Sequence, residues 1–339
     1  MATAPPLPEP PKTGTPGMPT PDILAMTRPA AQPSASSPET DPTPEGMVAR
    51  LGARTTLALL GVLMTLPYRW RVPFAGWLAQ VFVGRGRRNR QRIARAVHHL
   101  FPDLPAAELR HICRRVPNNM ARTAIEVWSG AQFAAHAAAM PIGGPGLAAL
   151  HQAKAAGRPV LLVTAHFGNY DVARAVLLAQ GFPVGAYYKP LPGTAINRRY
   201  VAAIGAIGQP LFPAGRKGVA DMVRFLRGGG MLGILADLDR DHGEILDFLG
   251  KPARTVLSMA EMALKYDALM VPIYGIRQPD GLNFEVFVDA PVPHGEPRAM
   301  MQALNDSLGR MVRAHKDQWL WWHKRWREDH PGFGDNDPA

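Results

Sequence analysis

His166 and Asp171 are the two side chains whose types and spacing suggest chemistry: in His-Phe-Gly-Asn-Tyr-Asp, four residues separate an imidazole from a carboxylate. An aspartate that accepts a hydrogen bond from one ring nitrogen fixes the histidine tautomer and leaves the other nitrogen as a base. A solvated histidine titrates near ~6.5, so such a partner tunes it toward work at neutral pH. On one continuous helix the two would point to different faces. A loop between them lets the carboxylate fold back onto the ring. The same residues also fit a histidine that merely ends a strand beside an aspartate.

Residues 160–164 are apolar and partly β-branched, which predicts a short buried strand. Asn169 is a suitable N-cap for a helix over 170–180, stopped by Gly181, with Asp171 in its first turn. His166 then stands at the carboxyl end of a strand, the edge of an α/β sheet where ligands bind. Further strands are predicted over 184–189, 209–212, 231–237, 269–277 and 283–289, with helices over 106–128, 197–207, 218–227, 255–267 and 297–327. This alternation predicts an α/β fold, a mixed, mostly parallel sheet flanked by helices, with an N-terminal membrane-associated helical segment described below.

Charge and composition divide the chain. It carries net charge +11, so acidic partners are expected. Residues 1–46 hold 13 of the 34 prolines, no sustained periodicity, and two basic against five acidic residues. We expect a disordered tail, dispensable as a misassigned start codon before Met47 would make it; it has no secretory pattern. That tail carries −3, so the remainder carries +14. The single cysteine, Cys113, forbids an internal disulfide.

Residues 51–83 contain two apolar pieces broken by Pro67, Arg69 and Arg71, each short of the ~20 residues a spanning helix needs. Tyr68, Trp70 and Trp77 beside arginines suit a membrane interface, although a buried helical hairpin fits too. The basic run 84–95 lacks the aromatics of a nucleic-acid module and reads as a juxtamembrane patch or a solvated face. Aspartates at 237, 239 and 241 suggest a calcium loop, but His242 stands where glycine is needed and Phe248 where a bidentate acid is needed. No metal is expected there.

Taken together, these motifs resemble the glycerolipid acyltransferase superfamily, and most closely the branch that acylates lipid A precursors. His166–Asp171 is similar to that branch's His-Phe-Gly-Asn-Trp-Glu, Tyr188-Lys189-Pro190 to its Arg-Pro segment, and Asp237-Leu238-Asp239 to its Asp-x-Asp. Residues 246–250 resemble Val-Pro-Phe-Phe-Gly, and 318–326 match the Gln-Trp-x-Trp-x-His-x-Arg-Trp signature. The likeness runs from about 51 to 327.

The resemblance implies a membrane-associated segment with a basic patch over 47–96, an acyltransferase domain over 97–327, and a flexible tail over 328–339. It implies acyl transfer from acyl carrier protein, or from acyl-CoA, to a hydroxyl of a lipid A precursor. The place would be the cytoplasmic face of the bacterial inner membrane, with no cofactor and no nucleic acid. His166 would be the general base and Asp171 its holder; no Gly-x-Ser-x-Gly elbow demands an acyl-enzyme. Backbone N–H groups of Gly168 and Asn169 could serve the oxyanion. Lys189 stands where the branch has Arg, and Arg216 would contact phosphate or donor. Asp237 and Asp239 would bind the acceptor or orient Arg216, and Arg325 would face lipid phosphates. Asp rather than Glu at 171 leaves other glycolipid or lysophospholipid acceptors open, and a non-catalytic membrane scaffold remains an alternative.

Overall fold

The computed structural model describes residues 47–238, 242–323 and 325–326. The two expected tails and Asp239 lie outside the described residues. In chain order the elements are α1 (Met47–Thr65), α2 (Tyr68–Phe82), α3 (Arg87–Leu100), α4 (Ala106–Trp128), α5 (Ala131–Ala137), β1 (Ile142–Gly143), α6 (Leu147–Ala156) and β2 (Val160–Thr164). There follow α7 (Val172–Ala179), β3 (Val184–Tyr188), α8 (Thr194–Ile207), β4 (Leu211–Pro213), α9 (Arg216–Arg227) and β5 (Met231–Leu235). The chain continues through β6 (Glu244–Phe248), β7 (Lys251–Thr255), α10 (Ser258–Lys265), β8 (Leu269–Arg277), β9 (Phe284–Val288) and α11 (Pro297–Ala314).

Among the described residues the strands form a seven-stranded sheet of order β1-β9-β8-β2-β5-β3-β4 and a two-stranded sheet of β6 and β7. From β8 to β4 every pairing is parallel; β9 reverses against β8, and β1 runs parallel to β9. The sheet is therefore mixed and mostly parallel. All five residues of β2, at its centre, are buried. Val160 and Leu162 pack on one face with α5, α6, α7 and α8, while Leu161 and Val163 pack on the other with α9, α10 and α11. Covering both faces is what a parallel sheet with helical crossovers requires.

Two departures from the sequence reading matter for the site. Residues 244–255, where no strand was expected, form the hairpin β6–β7, tightened by Leu249 and Gly250 at φ 59° and 86°. Consecutive positive φ values suit the right-handed twist of a two-residue hairpin turn. The terminal helix stops at Ala314 instead of continuing to 327, and a 3-10 turn, Lys316–Gln318, follows it. Trp319 then forms an antiparallel bridge with Phe167, so this segment pairs with the motif loop in place of continuing the helix.

At the amino end α1 and α2 are broken at Pro67, and no described helix is long and apolar enough to cross a membrane. Leu59, Val62, Trp70, Phe74, Trp77 and Phe82 leave large apolar surfaces exposed on them.

Candidate active site

Parallel pairing sets the site. Thr164 of β2 is in register with Leu235 of β5, so His166 and Asp237, each two residues further on, emerge side by side at the carboxyl edge. Nδ1 of His166 lies 2.8 Å from Oδ1 of Asp237, and the His166 backbone N–H donates to Oδ2 at 3.0 Å. The indole N–H of Trp319 donates to the same Oδ2 at 3.1 Å. Burial alone would raise the Asp237 carboxyl. The His166 charge, the two His166 hydrogen bonds and the Trp319 bond override it and hold the group well below the usual carboxylate range. An ionised Asp237 only accepts, so Nδ1 of His166 carries a hydrogen and donates it to the carboxylate, which leaves Nε2 as the ring nitrogen that can serve as base.

The carboxylate on the ring is therefore Asp237, not Asp171. Asp171 caps α7 and its Oδ1 accepts from Arg174 Nε at 2.8 Å. Arg174 in turn donates to the carbonyls of Gly208 and Ile204, so Asp171 faces a buried guanidinium. Both residues line the same cavity of about 260 Å³, with Thr164, His166, Tyr170, Tyr188, Lys189 and Gly233.

The motif loop is held by contacts far apart in sequence. Gly168 adopts φ +52°, and a Cβ there would meet the Gly275 carbonyl oxygen at 1.8 Å. Only glycine allows β8 that close. The Gly168 carbonyl accepts from Thr123 Oγ1 at 2.8 Å. Asn169 Nδ2 donates to Glu126 at 2.8 Å, and Glu126 is paired with Arg277 at 2.7 Å, all of it buried. From the other side Gln318 brackets the Arg277 backbone with two bonds of 2.8 Å. Leu320 N–H closes on the His166 carbonyl at 3.0 Å.

These contacts revise the remaining expectations. The Gly168 N–H donates to Gln318 O at 2.9 Å and the Asn169 N–H to Gly275 O at 3.1 Å, so neither is available to an oxyanion. Asn169 is wholly buried and faces the core, not a substrate. Asp237 is buried and its two oxygens accept from His166 and Trp319; no bond to Arg216 is among its contacts with the described residues. Arg216 opens α9, exposed, outside the cavity lining; Lys189 is exposed at the cavity. Arg325 is buried over Phe248 and donates to the Arg254 carbonyl, Thr255 and Asn305, pinning the hairpin instead of facing phosphates. Cys113 is buried, its thiol pushed up by burial. Among the described residues no group of three or more His, Cys, Asp or Glu is placed to hold a metal ion.

Sequence reasoning missed Glu126, Arg277, Gln318 and His323 as parts of this centre. The ring of His323 lies 4.6 Å from that of His166, centroid to centroid, and the ring of Tyr170 lies 5.8 Å from it. One signal was available: β2 and β5 are each followed by Ala and then an ionisable residue, Ala165-His166 and Ala236-Asp237, at equal offsets.

A histidine held by a buried carboxylate at the edge of an α/β sheet, above a cavity, is equipment for general-base chemistry. The chain belongs to the bacterial lipid A biosynthesis acyltransferase family, whose model matches residues 47–328. It is 25% identical over 188 residues to a phosphatidylinositol mannoside acyltransferase of Mycobacterium tuberculosis (strain ATCC 25618 / H37Rv), covering 54% of this chain and 60% of that protein. It is 22% identical over 179 residues to a lipid A biosynthesis acyltransferase of Haemophilus influenzae (strain ATCC 51907 / DSM 11121 / KW20 / Rd), covering 52% and 56%. The chain thus matches about 60% of the length of the mycobacterial relative.

Proposed function

We propose that this protein moves a fatty acyl group from a thioester to a hydroxyl of a glycolipid, with His166 as general base and Asp237 as the residue that orients it. The observation that carries the reading is the His166–Asp237 pair, 2.8 Å apart, with His166 at a cavity wall. The acceptor oxygen bonds to the carbonyl carbon while its proton passes to Nε2 of His166. Asp237 fixes the ring and stabilises the imidazolium as it forms, without taking the proton. Collapse of the tetrahedral intermediate breaks the C–S bond, and sulfur leaves with the electron pair. A thiolate of solution pKa near ~8.5 needs little help to leave, and the imidazolium returns its proton to it or to solvent.

A lipid A precursor is the acceptor favoured by the family, at the cytoplasmic face of an inner membrane. A mannosylated phosphatidylinositol is the alternative favoured by the mycobacterial relatives. Either headgroup is anionic and suits a body of net charge +14. Acyl carrier protein, itself acidic, and acyl-CoA are the candidate donors. The exposed aromatic and aliphatic side chains of α1 and α2 support seating on a bilayer surface, with Trp70 and Trp77 at headgroup level.

Purified protein supplied with dodecanoyl-acyl carrier protein or dodecanoyl-CoA, and with each acceptor in turn, tests this. Transfer by the parent and not by His166→Ala is expected. Equal transfer by both refutes the general-base reading, and no transfer from either donor to either acceptor favours a scaffold.

A further inference from the structure

We propose that His323 is a second catalytic imidazole, donating a ring N–H to the thioester carbonyl oxygen as negative charge builds there. The inference rests on the acyl-transfer reading above. His323 reaches the site on the segment fastened to the motif loop by the Gly168–Gln318 and Leu320–His166 backbone bonds. Its ring touches that of His166, centroids 4.6 Å apart and planes inclined at 54°. No side chain among the described residues bonds its ring nitrogens. Five of the six backbone donors of residues 166–171 are spent, all but that of Tyr170: His166 on Asp237, Phe167 on Ala165, Gly168 on Gln318, Asn169 on Gly275, and Asp171 on the Asn169 side chain.

The attacking oxygen must stand about 3 Å from His166 Nε2, and the carbonyl oxygen lies beyond it across the carbonyl carbon. A ring whose centroid stands 4.6 Å from that of His166 is within reach of a carbonyl held there, and a donor fixed before reaction needs no reorganisation as charge develops. Charge state agrees with the role. Burial, then His166 and Arg92 of α3, against the opposing Asp237, push the His323 pKa down to about 4. At neutral pH it is a neutral imidazole with one N–H, and adds no positive charge beside a ring that must itself become imidazolium. In the step, the carbonyl π pair moves onto oxygen and accepts this hydrogen bond. On collapse the pair returns and the thiolate leaves, so His323 keeps its proton throughout.

The full chain in detergent micelles, assayed by thiol release from dodecanoyl-CoA with either acceptor, separates the possibilities. Replacing the ring without its N–H, His323→Phe, is expected to lower kcat by about 10²–10³-fold, with KM for dodecanoyl-CoA within about twofold of the parent. His323→Gln, which restores an N–H, should recover kcat to within about tenfold of the parent. Both should melt within a few degrees of the parent; if the phenylalanine variant does not fold, His323→Leu takes its place. The proposal is overturned if the N–H-free variant keeps its kcat, if the glutamine variant falls equally far, or if the loss lies wholly in KM. An active parent with a dead His166→Ala and an unimpaired His323→Phe sinks this inference alone. A parent that acylates neither acceptor from dodecanoyl-CoA or from dodecanoyl-acyl carrier protein sinks the broader reading with it.

Discussion

The indole of Trp319 donates its N–H to Oδ2 of Asp237 at 3.1 Å, across 82 residues of sequence. The carboxylate that holds the His166 ring is thereby completed by the carboxyl-terminal segment. Trp319→Phe keeps the buried ring and removes the donor. Loss of one charge-assisted hydrogen bond predicts destabilisation of about 1.5–3 kcal/mol, read from the urea midpoint. A kcat reduced by about tenfold should accompany it. Unchanged values for both would mean that the contact contributes nothing.

Asp171 and Asp237 should fail differently. Asp171→Asn leaves the Arg174 guanidinium, 5% exposed, without its ionic partner. Removing one member of such a pair costs about 3–5 kcal/mol, so the expected signature is a lower melting temperature. Calorimetry showing no loss would place Arg174 among other partners.

Gly168→Ala drives a methyl against the Gly275 carbonyl and strains a residue already at φ +52°. A cost of about 2–4 kcal/mol is expected, with activity falling further than stability because the neighbouring His166 must shift. Full activity in this variant would show that β8 can withdraw at no cost.

Acid should weaken the fold through His323. Its pKa is about 4 when folded, against ~6.5 for a solvated histidine, so the unfolded chain binds more protons between those values. The stabilisation is complete above about pH 6.5 and is lost as pH falls through 4. His315, also lowered by burial, acts in the same direction. The drop in melting temperature from pH 7 to pH 5 should therefore shrink in His323→Gln, and an identical drop would contradict it.

Strand β8 was legible residue for residue, and β2 likewise, because buried parallel strands are continuous apolar runs bounded by turn residues. His166 at a strand end was legible for the same reason. Its partner was not, because a carboxylate five places on competes in the eye with one 71 places on. Only sheet order brings β5 beside β2, and sheet order is not written in local periodicity. The segment after α11 was expected to continue the helix to 327, yet Trp319 and Trp321 are buried in the cluster that also holds Phe167 and Phe248. Burying indoles against the motif loop stabilises more than continuing an exposed helix would.

The most direct test is the turnover of Asp237→Asn set against Asp171→Asn, measured as acyl transfer on folded protein at neutral pH. If Asp237 holds the ring, its amide variant loses about 10²–10⁴-fold in kcat, while the Asp171 variant, where it folds, loses far less. An Asp237→Asn enzyme within threefold of the parent, beside a dead Asp171→Asn, would contradict the account.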